Sequence, residues 1–159
     1  MAVYYFDASA AAKLYLPETG SRWVTNLLQA RATAGDWEHA IHLTRIGVVE
    51  VAAAIARRRR MGLLPQDQQS RLYQRFLADS RQRFDLLFLG DPTFDLAADL
   101  TQRHPLRGYD AVHLAAALRL RAFLVAAGLS APVFVTADAN LCAVARAEGL
   151  TAENPNDYP

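Results

Sequence analysis

Val3-Tyr4-Tyr5-Phe6-Asp7-Ala8-Ser9 is the most informative segment of the chain. Four apolar, β-prone residues run straight into an acid. A continuous apolar run of this length suits a strand covered on both faces, as in a parallel sheet. Asp7 then stands where such a strand ends. The following stretch, Ser9–Leu16, reads as a helix stopped by Pro17, and Gly20-Ser21 open a second, Ser21–Thr33, with Trp23, Val24, Leu27 and Leu28 along one stripe.

The same alternation continues outward. Ala40–Leu43 reads as a strand, Ile46–Met61 as a long helix closed by Gly62, and Pro65 starts another helix reaching about Phe84. Asp85–Leu89 is a strand, Gly90-Asp91-Pro92 a turn, and Thr93–Arg103 a helix. A strongly apolar helix spans Tyr109–Ala126, Pro132–Thr136 is a strand, and Asn140–Glu148 is a helix closed by Gly149. The pattern predicts an α/β fold, a single three-layer domain over residues 1–153 whose central parallel β-sheet is flanked by helices. The polar tail, residues 154–159, is expected to be loosely held.

The composition narrows the function. Apolar residues at 52% and charged residues at 21% of 159 describe a globular chain. The single cysteine, Cys142, allows neither an intrachain disulfide nor a cysteine-rich zinc site. Every long apolar stretch is broken by charge, and the first residues lack the basic start of a signal peptide, so we expect a cytoplasmic protein without membrane contact. Of 17 basic residues only Lys13 is lysine. The arginine fork suits phosphate, although a GC-rich genome gives the same bias.

In an open parallel sheet, ligands bind at the carboxyl ends of the strands. Asp7 directly follows one strand, and Asp138 lies two residues beyond Val133-Phe134-Val135-Thr136. Glu50 sits within Val48-Val49-Glu50-Val51, and Asp110 within Tyr109-Asp110-Ala111-Val112. No lysine or arginine lies within two residues of Asp7, Glu50 or Asp138. Carboxylates among aliphatic neighbours need compensation. Hard divalent cations, Mg²⁺ or Mn²⁺, prefer oxygen ligands and serve phosphodiester cleavage by activating water and stabilising the leaving oxygen. Each acid has a plainer role as well. Asp7 and Asp138 suit helix caps, and Asp110 suits a helix start. Glu50, mid-helix, has no such role.

Four blocks carry a family resemblance: YYFDASAAAKLYLPE (Tyr4–Glu18), LTRIGVVEVAAAIARR (Leu43–Arg58), LRGYDAVHLAAAL (Leu106–Leu118) and VFVTADANLCAVARAEGLTAENP (Val133–Pro155). Together, and in this order, they resemble PIN domains, and a chain of this length resembles the VapC-like toxins of type II toxin–antitoxin systems. The resemblance implies a magnesium-dependent endoribonuclease with Asp7, Glu50, Asp110 and Asp138 as its catalytic, metal-binding acids. Ser9 and Thr136 match its hydroxyl positions and would orient carboxylates or water. It also implies an RNA substrate such as tRNA or rRNA, a cognate antitoxin protein and a homodimer. We look for the partner surfaces on Ser21–Thr33 and Glu50–Arg60.

Basic residues near these acids are candidate RNA contacts. Arg57 follows Glu50 by two helical turns, ~10 Å of rise, and belongs to the run Arg57-Arg58-Arg59-Arg60. Arg57 and Arg60 are candidates for phosphate contact, and Arg121 is a third. His113, one turn after Asp110, reads as a packed or solvent-edge histidine. The alternative to catalysis is a non-catalytic PIN-fold RNA-binding protein. A phosphoacceptor receiver domain is excluded, because it needs an acid pair at Asp7 and a lysine after the last strand. Dehalogenase-type phosphatases want an aspartate where Ser9 stands.

Overall fold

The computed structural model describes residues 1–159. Five strands form one parallel sheet in the order β3-β2-β1-β4-β5: β1 (Ala2–Phe6), β2 (His39–Thr44), β3 (Asp85–Leu87), β4 (Val133–Val135) and β5 (Thr151–Glu153). Seven helices connect them: α1 (Ala8–Ala12), α2 (Ser21–Gln29), α3 (Arg45–Arg60), α4 (Gln66–Gln82), α5 (Asp91–Arg103), α6 (Gly108–Ala126) and α7 (Ala139–Ala147).

Period-two alternation along the central strands sends successive side chains to opposite faces. Tyr5 and Phe134 join a core with Leu114, Leu118 and Leu141 from α6 and α7. Phe6 and Val135 face the other way, into a core with Val24, Val51, Ile55 and Phe76 from α2, α3 and α4. Two separate cores on one sheet make the three layers that the sequence predicts.

The connections from β1 lead to β2 and then β3 on one side. The chain returns from β3 through α5 and α6 to β4, on the other side of β1. The carboxyl ends of β1 and β4 therefore flank the point where strand order reverses, which opens a crevice above the sheet. Asp7 and Asp138 stand there.

Four expectations need correcting. The first helix ends at Ala12 rather than Leu16, and α2 stops at Gln29 rather than Thr33. β5 is a fifth strand that the pattern did not announce. The tail is not loosely held. Asn154 and Pro155 are buried, Pro155–Asp157 form a short 3-10 turn, and Tyr158 stacks on Trp23 at 4.6 Å. Pro155 lies so close to Gly20 (φ +82°) that any Cβ there would collide with its backbone. The buried amine of Lys13 completes the attachment, donating to Asn156 Oδ1 at 2.8 Å, Thr19 O at 2.7 Å and Glu18 Oε1 at 2.9 Å. No helix is long and apolar enough to cross a membrane.

Candidate active site

Asp7 is 5% exposed and ends β1 as the N-cap of α1. Its Oδ1 accepts the Ala10 N–H at 2.8 Å and the Ser9 hydroxyl at 2.7 Å, and its Oδ2 accepts the Thr136 hydroxyl at 2.6 Å. Asp138 caps α7 in the same way, accepting the Leu141 N–H at 3.0 Å on Oδ1. The capping roles foreseen for both acids are real, and the positions are also at the crevice. Capping occupies one oxygen of Asp138 and leaves the other.

Ser9 and Thr136 link the two strand ends. Ser9 Oγ accepts the Ala137 N–H at 2.8 Å, and Thr136 Oγ1 accepts the Asp138 N–H at 3.1 Å. Both hydroxyls thus bond to Asp7 on one side and to the β4–α7 loop on the other. Asp110 enters from the first turn of α6. Burial raises its carboxyl above the ordinary aspartate range, and the charges of Asp138 and Asp7 raise it further. Burial likewise raises Asp7, against the lowering effects of His113, Thr136, Ala10 and Ser9. Three like charges therefore share this end of the sheet.

Glu50 is less buried than its apolar neighbours suggest, with its side chain 32% exposed. It turns toward His113, whose Nε2 lies 2.7 Å from Glu50 Oε2. The other ring nitrogen, Nδ1, is 2.8 Å from the hydroxyl of fully buried Tyr5. His113 is packed, as expected, but it is also bonded at both nitrogens, a pairing that spacing along one chain could not reveal.

None of the four acids forms an ion pair with lysine or arginine; the only basic partner is His113, on Glu50. No three acidic, histidine or cysteine side chains close around a common point as they stand. Asp7 bonds instead to its hydroxyl donors and Glu50 to His113. The donor set of carboxylates and hydroxyls, lacking any thiolate, nevertheless suits a hard divalent cation rather than a soft one. Mutually repelling carboxylates, only partly offset at Asp110 by Arg107, are the electrostatic complement of such an ion.

The arginines divide. Arg57 and Arg60 line a groove with Glu50, Ala53 and Ala54, so both lie beside the fourth acid. Arg57 also faces a larger, adjoining groove that reaches Ser9. Arg121 is a correction. It lies eleven residues along α6 from Asp110, ~16 Å of rise, and donates to the carbonyls of Glu148 and Gly149 at 3.1 and 2.7 Å. These carbonyls precede β5 at the amino end of the sheet, opposite the acids. Its role there is to cap α7.

The PIN domain family matches residues 4–147 of the chain, a span that contains all four acids. The chain belongs to the PIN-domain family. It is 33% identical over 127 residues to Ribonuclease VapC45 of Mycobacterium tuberculosis (strain CDC 1551 / Oshkosh), covering 74% of this chain and 76% of that protein. Among solved structures it resembles PAE2754 from Pyrobaculum aerophilum, with a TM-score of 0.58, 22% identity and coverage of 99% and 94% of the two chains. It also resembles FitAcB from Neisseria gonorrhoeae, with a TM-score of 0.60, 17% identity and coverage of 96% and 97%. At these identities the structural matches show the fold, and the VapC-like resemblance rests on the sequence match. The expected family and its α/β architecture are both found.

Proposed function

We propose that this PIN-domain chain is a Mg²⁺-dependent endoribonuclease, with Mn²⁺ as a substitute ion, and the toxin of a toxin–antitoxin pair. One observation carries the reading: Asp7, Asp110 and Asp138 stand at the strand-order reversal, near enough that the charges of Asp138 and Asp7 raise the Asp110 carboxyl, with no lysine or arginine paired to any of them. Asp7 is the one buried member. A buried carboxylate costs several kcal/mol unless it is compensated, and the two further carboxylates at the same end of the sheet favour a cation there. Kinship with a protein named Ribonuclease VapC45 supports RNA as the substrate.

Asp7, Asp110, Asp138 and Glu50 would hold the ion, which supplies Lewis-acid stabilisation of phosphate charge and an acidified water. Ser9 and Thr136 hold Asp7 by donating a hydrogen bond to each of its two carboxylate oxygens. Arg57 and Arg60 flank the groove beside Glu50 and would receive phosphates of the RNA strand. Hydrolysis adds the oxygen of water to phosphorus and breaks the bond to the 3′ oxygen, leaving 5′-phosphate and 3′-hydroxyl ends. No nucleophilic Ser or Cys with a paired histidine is needed for that outcome.

The partner reading is part of the same proposal: a cognate antitoxin covers the crevice, and the toxin pairs with a second copy. The assay is cleavage of total cellular RNA, with the fragment ends mapped chemically and the product of the neighbouring reading frame added as inhibitor. Fragments with 5′-phosphate ends, suppressed by that protein, are expected. Fragments ending in 2′,3′-cyclic phosphate would overturn the hydrolytic reading, because they require attack by the RNA's own 2′ hydroxyl.

A further inference from the structure

Helix α6 carries a second feature on the face of Asp110. His113 follows it by three residues, so the two side chains project from the same side of the helix. The His113 ring is 2% exposed and is gripped at both ends, by Glu50 Oε2 at 2.7 Å and the Tyr5 hydroxyl at 2.8 Å. A carboxylate accepts only, so Nε2 carries the hydrogen toward Glu50. In the neutral ring Nδ1 is then an acceptor, and the Tyr5 O–H fills it. The ring orientation is fixed from the buried side of the sheet outward.

The neighbouring backbone is shaped to the same end. Gly47 lies in the first turn of α3, where a Cβ would stand 2.7 Å from Leu43 Cδ1 and 3.2 Å from His113 Cε1. Glycine is a poorer helix former than alanine. Here it lets α3 pass close over the His113 ring, and Thr44 fixes that turn by accepting the Gly47 N–H at 3.1 Å. Glu50, one turn further on, then reaches Nε2. Tyr5 and Gly47, from two other elements, converge on the His113 ring, and His113 alone touches the carboxylate, at Oε2.

We propose that His113, held by Tyr5 and admitted by Gly47, is a positioning residue that anchors Glu50 Oε2 and leaves Oε1 to face the cation. The proposal rests on the reading of Glu50 as a ligand of that cation. It assigns no proton transfer to the histidine. Hydrogen-bonded partners behind metal ligands commonly change affinity by about tenfold to hundredfold when removed.

The test uses the full chain and two substitutions of similar bulk. His113→Leu fills the space but donates nothing, whereas His113→Gln offers an amide N–H to Glu50. Mn²⁺ affinity is measured by calorimetry, thermal unfolding without metal is recorded for each protein, and kcat and KM are taken on RNA. We expect His113→Leu to bind Mn²⁺ at least tenfold more weakly and to lose kcat with little change in KM. His113→Gln should recover most of both. Tyr5→Phe, which removes one hydroxyl from an otherwise unchanged ring, should weaken Mn²⁺ binding a few-fold and serves if His113→Leu does not fold. A wild type that binds Mn²⁺ and a Leu variant that melts lower but binds it equally well would overturn the proposal, leaving the ribonuclease reading intact. A wild type that binds no Mn²⁺ would overturn both.

Discussion

Thr136 donates its hydroxyl hydrogen to Asp7 Oδ2 across 2.6 Å while accepting the backbone N–H of Asp138 at 3.1 Å. One buried side chain thus ties the first of the four site acids to the last, across 131 residues of sequence and from β1 to β4. It is the shortest of the bonds that shape the site.

Replacing Thr136 by valine keeps its shape and removes this bridge. Asp7 would retain a buried carboxylate oxygen without its donor, so we expect a loss of about 1–3 kcal/mol in stability. Cleavage should fall as well, since Asp7 and the Asp138 loop lose their common anchor. Urea unfolding and the RNA assay on the same preparation check both effects; unchanged stability with intact cleavage would remove Thr136 from the site.

Asp110 predicts the opposite pairing of effects. Burial and the charges of Asp138 and Asp7 raise its carboxyl. A group whose folded value is raised supports the fold fully below its ordinary range and loses that contribution as pH rises through the raised value. At neutral pH without metal, Asp110→Asn should therefore melt higher. The gain should be no more than roughly 2–4 °C, the shift given by about 1 kcal/mol at this size, because a half-exposed charge is partly screened. The variant should be inactive and should not gain the melting rise that Mg²⁺ gives wild type. A lower melting temperature would contradict the picture of mutually repelling carboxylates that Arg107 only partly offsets.

Much of this site was legible in the chain. Asp7 and Asp138 follow apolar, β-prone runs that read as buried strands, and Asp110 opens an apolar helix. The partner of Glu50 was not legible, because His113 is 63 residues away and the contact depends on how α3 crosses α6. β5 escaped notice for a related reason: Thr151-Ala152-Glu153 has no strong β pattern and is made a strand by pairing with β4. The tail Asn154–Pro159 looked free because its anchors, Gly20, Trp23 and Lys13, lie near the other terminus.

The two classes of arginine should separate in an RNA-binding titration against salt. Arg57→Ala and Arg60→Ala should each weaken binding and reduce the magnitude of the logarithmic salt slope by about 0.7, the value for one phosphate on a single strand. Arg121→Ala should leave the slope unchanged and lower the melting temperature, because it uncaps the carbonyls at Glu148 and Gly149. The reverse assignment would place RNA at the other end of the sheet.

The opposite end of the molecule supplies a pH prediction. His104 Nε2 lies 2.6 Å from Glu148 Oε1, and Arg103 Nη1 lies 2.9 Å from the same oxygen, joining the end of α5 to that of α7. The bond from His104 is the main cause holding the Glu148 carboxyl below its ordinary range, with Arg103 adding to it. A lowered value gives stability that is present above the ordinary glutamate range and is lost as pH falls through the lowered value. Glu148→Gln should cost about 1 kcal/mol at neutral pH, and its melting curve should converge on that of wild type in acid. A gap that persists in acid would show that the contact acts by packing instead.

We propose that the acids at the β1–β4 crevice cut RNA with the help of a divalent cation. The most direct measurement is cleavage of total cellular RNA by wild type and Asp7→Asn, side by side, in Mg²⁺, in Mn²⁺ and in EDTA. Asparagine keeps the size of Asp7 and removes its charge. We predict discrete fragments from wild type with either ion, none in EDTA, and none from Asp7→Asn. Identical patterns from the two proteins, or cleavage that survives EDTA, would contradict the account; an absence of cleavage with salt-dependent RNA binding retained would point to a non-catalytic PIN-fold protein instead.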